Sequence, residues 1–208
     1  MGMLLLSAFG FPLLGYLCGS LTFAIWITRL VKGVDVRAAG SGHATSTNTI
    51  RQAGFLPGAL VFVLDVTKGF VPTWLALHYA PAPWIAPLTA ALAVAGHCWP
   101  VFAGFRGGMG LATANGGMMA AAPVALFITY AILILLTLIM RHSARASVVA
   151  GILIAPVLYL VGLRGPVLWI AAAVGLVVAI RFLSDWKRQY RELWLDREHP
   201  PKGPAGQS

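Results

Sequence analysis

Gly110-Leu-Ala-Thr-Ala-Asn-Gly-Gly-Met-Met-Ala-Ala-Ala122-Pro123-Val-Ala-Leu-Phe-Ile-Thr-Tyr-Ala-Ile-Leu-Ile-Leu-Leu-Thr-Leu-Ile-Met140 is an uninterrupted run without a charged residue. A single upright membrane crossing takes about 20 residues. This stretch is too long for one crossing and short for two, and Pro123 sits near its middle. Five other apolar segments lie near residues 3–28, 54–79, 84–104, 147–163 and 166–181. The chain therefore has six or seven crossings, and the reading of residues 110–140 decides which.

Charge placement arbitrates, because one crossing more or less flips every later loop and cytoplasmic loops carry the excess of Lys and Arg. With two short crossings that turn at Ala122-Pro123, Arg29, Lys32, Arg37, Arg51, Arg106, Arg141, Arg145 and Arg181 all face the cytoplasm. So do Lys187, Arg188, Arg191, Arg197 and Lys202 of the tail, leaving Arg164 outside and Lys68 within a span. A single crossing would scatter these cations over both sides. The sequence predicts an all-α integral membrane protein of seven transmembrane helices, with the N-terminus out and the C-terminus cytoplasmic. Residues 1–181 form the membrane domain and residues 182–208 a basic amphipathic, then disordered, cytoplasmic tail.

Composition agrees. Residues are 59% hydrophobic and 10% charged, against about 25% charged in soluble domains. The net charge of +9 sits at span ends, where orientation and anionic lipid require it, and not in a nucleic-acid patch. The stretch Met3–Ile27 lacks a basic n-region and is too long for a signal sequence, so it reads as a retained first span. Cys18 and Cys98 stand alone in apolar runs and read as small buried residues.

Two polar constellations interrupt this pattern on the cytoplasmic side. The first is Gly40-Ser41-Gly42-His43-Ala44-Thr45-Ser46-Thr47-Asn48-Thr49-Ile50-Arg51, hydroxyl-rich and poor in charge. Glycines let backbone N–H groups approach an anion and short polar side chains add donors, so it reads as a phosphate pocket. The second runs from Gly96-His97 through Arg106-Gly107-Gly108-Met109-Gly110 to Thr113, a glycine-rich approach to a helix N-terminus, which suits a phosphate or acyl-phosphate. Glycines of membrane helices also serve close packing.

Asp65 and Lys68 lie three residues apart on one face of the second apolar segment, either as a self-neutralising structural pair or with Lys68 helping to hold an anion. His97 reads as a packing residue or a base. Arg181 to Trp194, with Trp186, Tyr190 and Trp194 among basic residues, reads first as an interfacial anchor. No HxxxxD, serine elbow or metal-ligand cluster is present in the sequence. Neither cofactor nor metal is expected, and the absence of inverted repeats argues against a transporter.

Taken in order, these motifs resemble the PlsY family of bacterial membrane acyltransferases, which use acyl-phosphate and glycerol-3-phosphate. The resemblance covers Tyr16 to Trp194. It is carried by Tyr16-Leu-Cys-Gly-Ser20, Gly33-Val-Asp-Val-Arg37, Gly40-Ser41-Gly42 with Thr47-Asn48 and Arg51, and Asp65-Val-Thr-Lys68-Gly69. It continues through Gly96-His97, Pro100, Gly104-Phe105, Gly107-Gly108, Gly110, Ala112-Thr113 and Arg141 with Ala146-Ser147.

The resemblance implies transfer of an acyl group to the 1-hydroxyl of glycerol-3-phosphate, forming lysophosphatidic acid at the entrance to phospholipid synthesis in the bacterial inner membrane. It assigns Ser41 and Arg51 to the phosphate of glycerol-3-phosphate, and Gly40, Gly42, His43 and Asn48 to the surrounding loop. Lys68, Arg106, Gly107 and Gly108 go to substrate binding, the Gly107-Gly108 turn holding the acyl-phosphate head. Asp185 takes the position of a catalytic-motif asparagine. An acyl-phosphate is already activated, so no protein nucleophile is expected. The chain departs from the family pattern at His43, Met109, Phe182 and Asp185, where the family has Asn, Lys, His and Asn. Asp185 would repel a dianion unless Lys187 or Arg188 compensates. These departures leave two readings, a retuned acyltransferase or a relative that binds a phospholipid or phosphometabolite without turnover.

Overall fold

A computed structural model describes residues 2–188. The tail positions Tyr190, Arg191, Trp194, Arg197 and Lys202, and the expected disorder from Pro200, lie outside the described residues. Among the described residues nine α-helices follow in order: α1 Gly2–Gly19, α2 Phe23–Lys32, α3 Ser46–Ala53, α4 Phe55–Tyr79, α5 Ile85–Cys98, α6 Leu111–Ala121, α7 Val124–Met140, α8 Ser143–Leu160 and α9 Pro166–Leu183. Among the described residues, Gly2–Lys32, Phe55–Tyr79, Ile85–Ala103, Ser143–Leu160 and Pro166–Leu183 are each long and apolar enough to cross a membrane. Large apolar side chains such as Phe9, Leu56, Phe127, Ile139, Leu160 and Trp169 lie on the outer surface, as a lipid-facing surface requires.

The stretch from Gly110 to Met140 breaks where the sequence places the turn. Pro123 has no N–H to continue a helix, and Ala122 is extended (φ −156°, ψ 104°). The Thr129 hydroxyl then lies 3.9 Å from the Met118 sulfur. Residues eleven apart in one helix would be separated by about 16 Å, so the chain folds back on itself at Ala122-Pro123. At 1.5 Å per residue, α6 spans about 16 Å and α7 about 25 Å, both short of the roughly 30 Å hydrocarbon core.

The first apolar segment departs from the single helix expected over residues 3–28. It breaks at Ser20–Thr22, which leaves backbone carbonyls that must find partners in an apolar surrounding. Lys68 of α4 supplies one, its ammonium donating to the Leu21 carbonyl at 2.7 Å while pairing with Asp65 Oδ1 at 2.7 Å. The Ser20 hydroxyl donates to the Tyr16 carbonyl. The Asp65–Lys68 pair is thus buried, and it stabilises a helix break.

The core runs between α5, α6, α8 and α9 around Val94, Met118, Ile154, Leu158, Ile170 and Val174. Helices approach closely where glycine removes a side chain. At the α4–α6 crossing a Cβ on Gly69 would collide with the Thr113 carbonyl, and one on Gly116 with the Val66 carbonyl. Gly116→Val should therefore cost about 1–3 kcal/mol through overpacking and lower the apparent Tm in detergent by several degrees. An unchanged Tm would show that this crossing is loose.

Candidate active site

One end of the bundle gathers the loops that follow α2, α5, α7 and α9, and the cations with them. Asp35 begins the organisation by accepting the Arg37 N–H at 2.9 Å and capping a short 3-10 turn at Val36–Ala38. Its carboxylate grips the Arg37 guanidinium at 3.0 and 2.8 Å and Arg29 at 3.1 Å. The Arg37 guanidinium holds the Asp35 carboxyl at about 2, well below the usual carboxylate range. Arg37 also donates to the carbonyls of Ala103 and Arg106, at 2.9 and 3.1 Å. The first polar loop is stapled to the glycine-rich loop by this one side chain.

Asn48, fully buried, fixes the shape of residues 36–43. Its amide nitrogen donates to the carbonyls of Val36 (2.7 Å), Ala39 (3.1 Å) and His43 (3.1 Å), and its oxygen accepts the Ser41 N–H at 3.3 Å. Gly40 and Gly42 take left-handed φ values of 61° and 70°, a conformation that costs a residue with a Cβ. The Thr45 hydroxyl caps α3 by accepting the Asn48 N–H, and Arg51 lies one turn further along that helix.

The glycine-rich loop is used differently from the expectation. Gly107 N–H donates to the Cys98 carbonyl and Gly108 N–H to the His97 carbonyl. The amides expected to cradle a phosphate are therefore engaged with the end of α5. Both glycines are spacers, since a Cβ at Gly107 would strike the His97 carbonyl and one at Gly108 the His97 ring. The first turn of α6 follows a few residues onward. Gly110 caps that helix without a side chain, and its opening N–H groups carry the partial positive charge of a helix N-terminus.

A cavity of about 180 Å³ lies where these elements meet. Ser41, His43, Thr45, Ser46, Thr47 and Arg51 form one wall, and Met109, Gly110, Leu111 and Ala112 the opposite one. Asp65 and His97 line it from α4 and α5, and Ser143 and Phe182 complete it. Phe182 contributes only apolar surface.

His43 and Asp185 form a buried pair, Nε2 to Oδ2, at 2.8 Å. Arg181 approaches His43 Nδ1 at 3.3 Å. Arg188 also approaches Nε2, at 3.2 Å; the shorter contact there is to the Asp185 carboxylate, which can only accept, so Nε2 is assigned the proton and Nδ1 faces the Arg181 donor. His43 is thus neutral, and burial pushes its pKa below the ordinary 6.5, with Arg181 and Arg188 adding to that effect and Asp185 opposing it. Arg188 lies 3.9 Å from Asp185 Oδ2 and donates to the Ser41 carbonyl at 2.8 Å. The expected compensation of Asp185 therefore includes Arg188. Arg181 also donates to the Gly108 carbonyl at 3.0 Å, so the C-terminal end of α9 is tied to both loops.

Of the residues expected at the site, Ser41, His43 and Arg51 line the cavity, Asp185 stands behind His43, and Gly40, Gly42 and Asn48 shape the loop. Gly107 and Gly108 set the approach of the two loops. Lys68 turns to Leu21 and Asp65, and Arg106 is exposed with its carbonyl held by Arg37. Asp65 and His97 were not among the expected site residues. Their signal was available in the ionisable pair of α4 and in the histidine beside the glycine-rich turn, but only the fold aims them at one cavity.

The family model described as "Glycerol-3-phosphate acyltransferase" matches residues 9–192. The chain is 37% identical over 185 residues to the glycerol-3-phosphate acyltransferase of Aquifex aeolicus, covering 88% of this chain and 94% of that one. It is 36% identical over 204 residues to that of Erwinia tasmaniensis, covering 95% and 97%. Crystal structures of PlsY (YgiH), an integral membrane glycerol 3-phosphate acyltransferase, superpose with a TM-score of 0.76 for the glycerol 3-phosphate form and 0.75 for the lysophosphatidic acid form. Both are 36% identical, and each match covers 93% of this chain and 94% of the other.

The state of His43 has a measurable consequence. Its folded-state pKa is lowered, so the unfolded chain binds a proton near pH 6.5 that the folded chain resists, and stability present above pH 6.5 declines as the pH falls below it. Asp35 acts separately, its contribution present above 3.8 and lost as the pH falls toward about 2. Thermal unfolding in detergent between pH 8 and pH 5 should show a decline that His43→Asn flattens. An identical slope in both proteins would contradict a neutral, buried His43.

Proposed function

The chain belongs to the glycerol-3-phosphate acyltransferase family, and from that premise we propose that it transfers a fatty acyl group from acyl-phosphate to the 1-hydroxyl of glycerol-3-phosphate, forming lysophosphatidic acid. The observation that carries this reading is the convergence of Ser41, Arg51 and the first turn of α6 on one cavity at the cation-rich end of the bundle. Two phosphate groups must meet there with their reacting ends together, which calls for two anion subsites. Arg51 and Ser41 form the one for glycerol-3-phosphate, by a charge-assisted contact and a short hydroxyl donor. The opening amides of α6 form the one for the acyl-phosphate head.

Leu111 lies at the boundary between this cavity and a second, narrower one lined by apolar side chains including Met118, Ile132, Ile154 and Val174. A chain entering past Leu111 would leave its carbonyl beside the α6 N-terminus. The donor is a mixed anhydride with phosphate as leaving group, so holding the hydroxyl against the carbonyl and neutralising developing charge accounts for catalysis without a protein nucleophile. A relative that binds without turnover has no observation in its favour, since the changes at Met109 and Phe182 leave Ser41, Arg51 and the α6 amides facing one space.

The reaction sits in a multi-pass integral membrane protein. Counting α1 with α2 as one crossing and α6 and α7 as two gives seven. The clustering of Arg29, Lys32, Arg37, Arg106, Arg145 and Arg181 at one end supports a cytoplasmic site, an external N-terminus and a location in the bacterial inner membrane. Residues 182–208 follow as a cytoplasmic tail.

Purified protein given acyl-phosphate and labelled glycerol-3-phosphate should release labelled lysophosphatidic acid. Removing one charge-assisted contact is worth about 1.5–3 kcal/mol, so Arg51→Ala should lower kcat/KM by about 10- to 100-fold. Folded protein that forms no lysophosphatidic acid would overturn the activity. Turnover indifferent to Arg51→Ala would overturn the phosphate site alone.

A further inference from the structure

The turn that follows α9 reaches back toward the cavity. The Asp185 N–H donates to the Phe182 carbonyl at 3.0 Å and the Arg188 N–H to the Asp185 carbonyl at 2.9 Å, so the chain keeps turning beyond Leu183. Arg145 of α8 holds this turn, donating to the Trp186 carbonyl at 3.3 Å with its guanidinium 5.7 Å from the centre of the Trp186 ring. An interfacial anchor needs only exposed aromatic and basic groups, and that role gives Arg188 no reason to reach the polar loop. Its guanidinium nonetheless has two attachments there. Nη2 donates to the Ser41 carbonyl at 2.8 Å, and Nη1 stands 3.9 Å from Asp185 Oδ2 and 3.2 Å from His43 Nε2.

The first attachment completes the fixing of Ser41. Gly40 and Gly42 on either side have left-handed φ values of 61° and 70°, so no helix ladder holds the residue between them. The Ser41 N–H donates to Asn48 Oδ1 at 3.3 Å, and its carbonyl accepts from Arg188. The N–H belongs to the planar peptide before the Cα and the carbonyl to the one after it, so the two bonds together set φ and ψ at Ser41 and the direction of its Cα–Cβ bond. Asn48 fixes only the first of those planes. The second attachment ties the same rigid, planar fork to the buried Asp185, and through it to the end of α9. We infer that Arg188 is a positioning residue of the acyl transfer, holding Ser41 in place for the phosphate of glycerol-3-phosphate from outside the cavity wall. This rests on the acyltransferase reading above and on its assignment of Ser41. Arg181 has a different task, since its contacts are the Gly108 carbonyl, Ser184 and His43 Nδ1.

The test measures steady-state kinetics of wild type, Ser41→Ala, Arg188→Ala and the double variant, with KM determined separately for glycerol-3-phosphate and for acyl-phosphate. The Arg188 side chain is 45% exposed, so its truncation leaves the core untouched. A small misplacement of a positioned group costs up to about 100-fold, and Arg188→Ala should raise the KM for glycerol-3-phosphate by about 10- to 100-fold. The KM for acyl-phosphate should stay within about threefold, because the α6 amides do not depend on Ser41. A residue that acts through Ser41 has nothing left to lose once the hydroxyl is gone. The double variant should therefore match Ser41→Ala within about threefold, whereas independent losses would multiply. Arg188→Lys keeps a charge beside Asp185, yet one ammonium cannot serve both attachments, and the KM for glycerol-3-phosphate should still rise at least about fivefold. Turnover of either Arg188 variant within about twofold of wild type, or multiplying losses in the double variant, overturns the inference and leaves the acyltransferase reading intact. So does an equal rise of both KM values with a lowered Tm, which marks a merely structural role. A wild type without turnover overturns both.

Discussion

The carboxamide of Asn48 is the contact on which the site depends. A polar loop at the edge of a hydrocarbon phase has no helix ladder to satisfy its backbone, and unsatisfied carbonyls are costly there. One buried side chain answers three carbonyls and one amide of residues 36–43. The loop becomes a fixed surface as a result. Ser41 and His43 inherit their positions from it, while Arg51 inherits its own from the helix that Asn48 and Thr45 begin. Arg37 then carries this order across to the glycine-rich loop.

The second constraint is charge. A cavity proposed to take phosphates would tolerate a buried carboxylate only where the carboxylate is already occupied. Asp185 accepts the His43 N–H, with Arg188 beside it, and Arg181 closes the other side of the imidazole. Asp65 is likewise neutralised by Lys68. At His43 the pair with Asp185 fixes a wall of the cavity.

Much of this was legible in the amino-acid order, because some residues act through covalent geometry alone. Pro123 reverses the chain between α6 and α7, and charge parity asked for that reversal before any contact was known. The hydroxyl-rich loop, Ser41 and Arg51 were readable because short polar residues have little other use between apolar spans. What the order could not convey was direction. Lys68 lies on the same helical face as Asp65, but its long stem reaches a carbonyl exposed by the break at Ser20–Thr22, a break with no proline to announce it. The glycines at 107 and 108 look like a phosphate cradle, yet which amides are free depends on where α5 ends. His97 is ambiguous for the same reason, since packing residue and base differ only in what faces the ring.

The most direct measurement is an experimental structure of this protein with glycerol-3-phosphate bound. Its phosphate should lie within hydrogen-bond reach of Arg51 and Ser41, with the 1-hydroxyl directed toward the start of α6. A phosphate bound elsewhere, with Arg51 and Ser41 making no contact to it, would contradict the assignment of the Gly40–Arg51 loop as the substrate site.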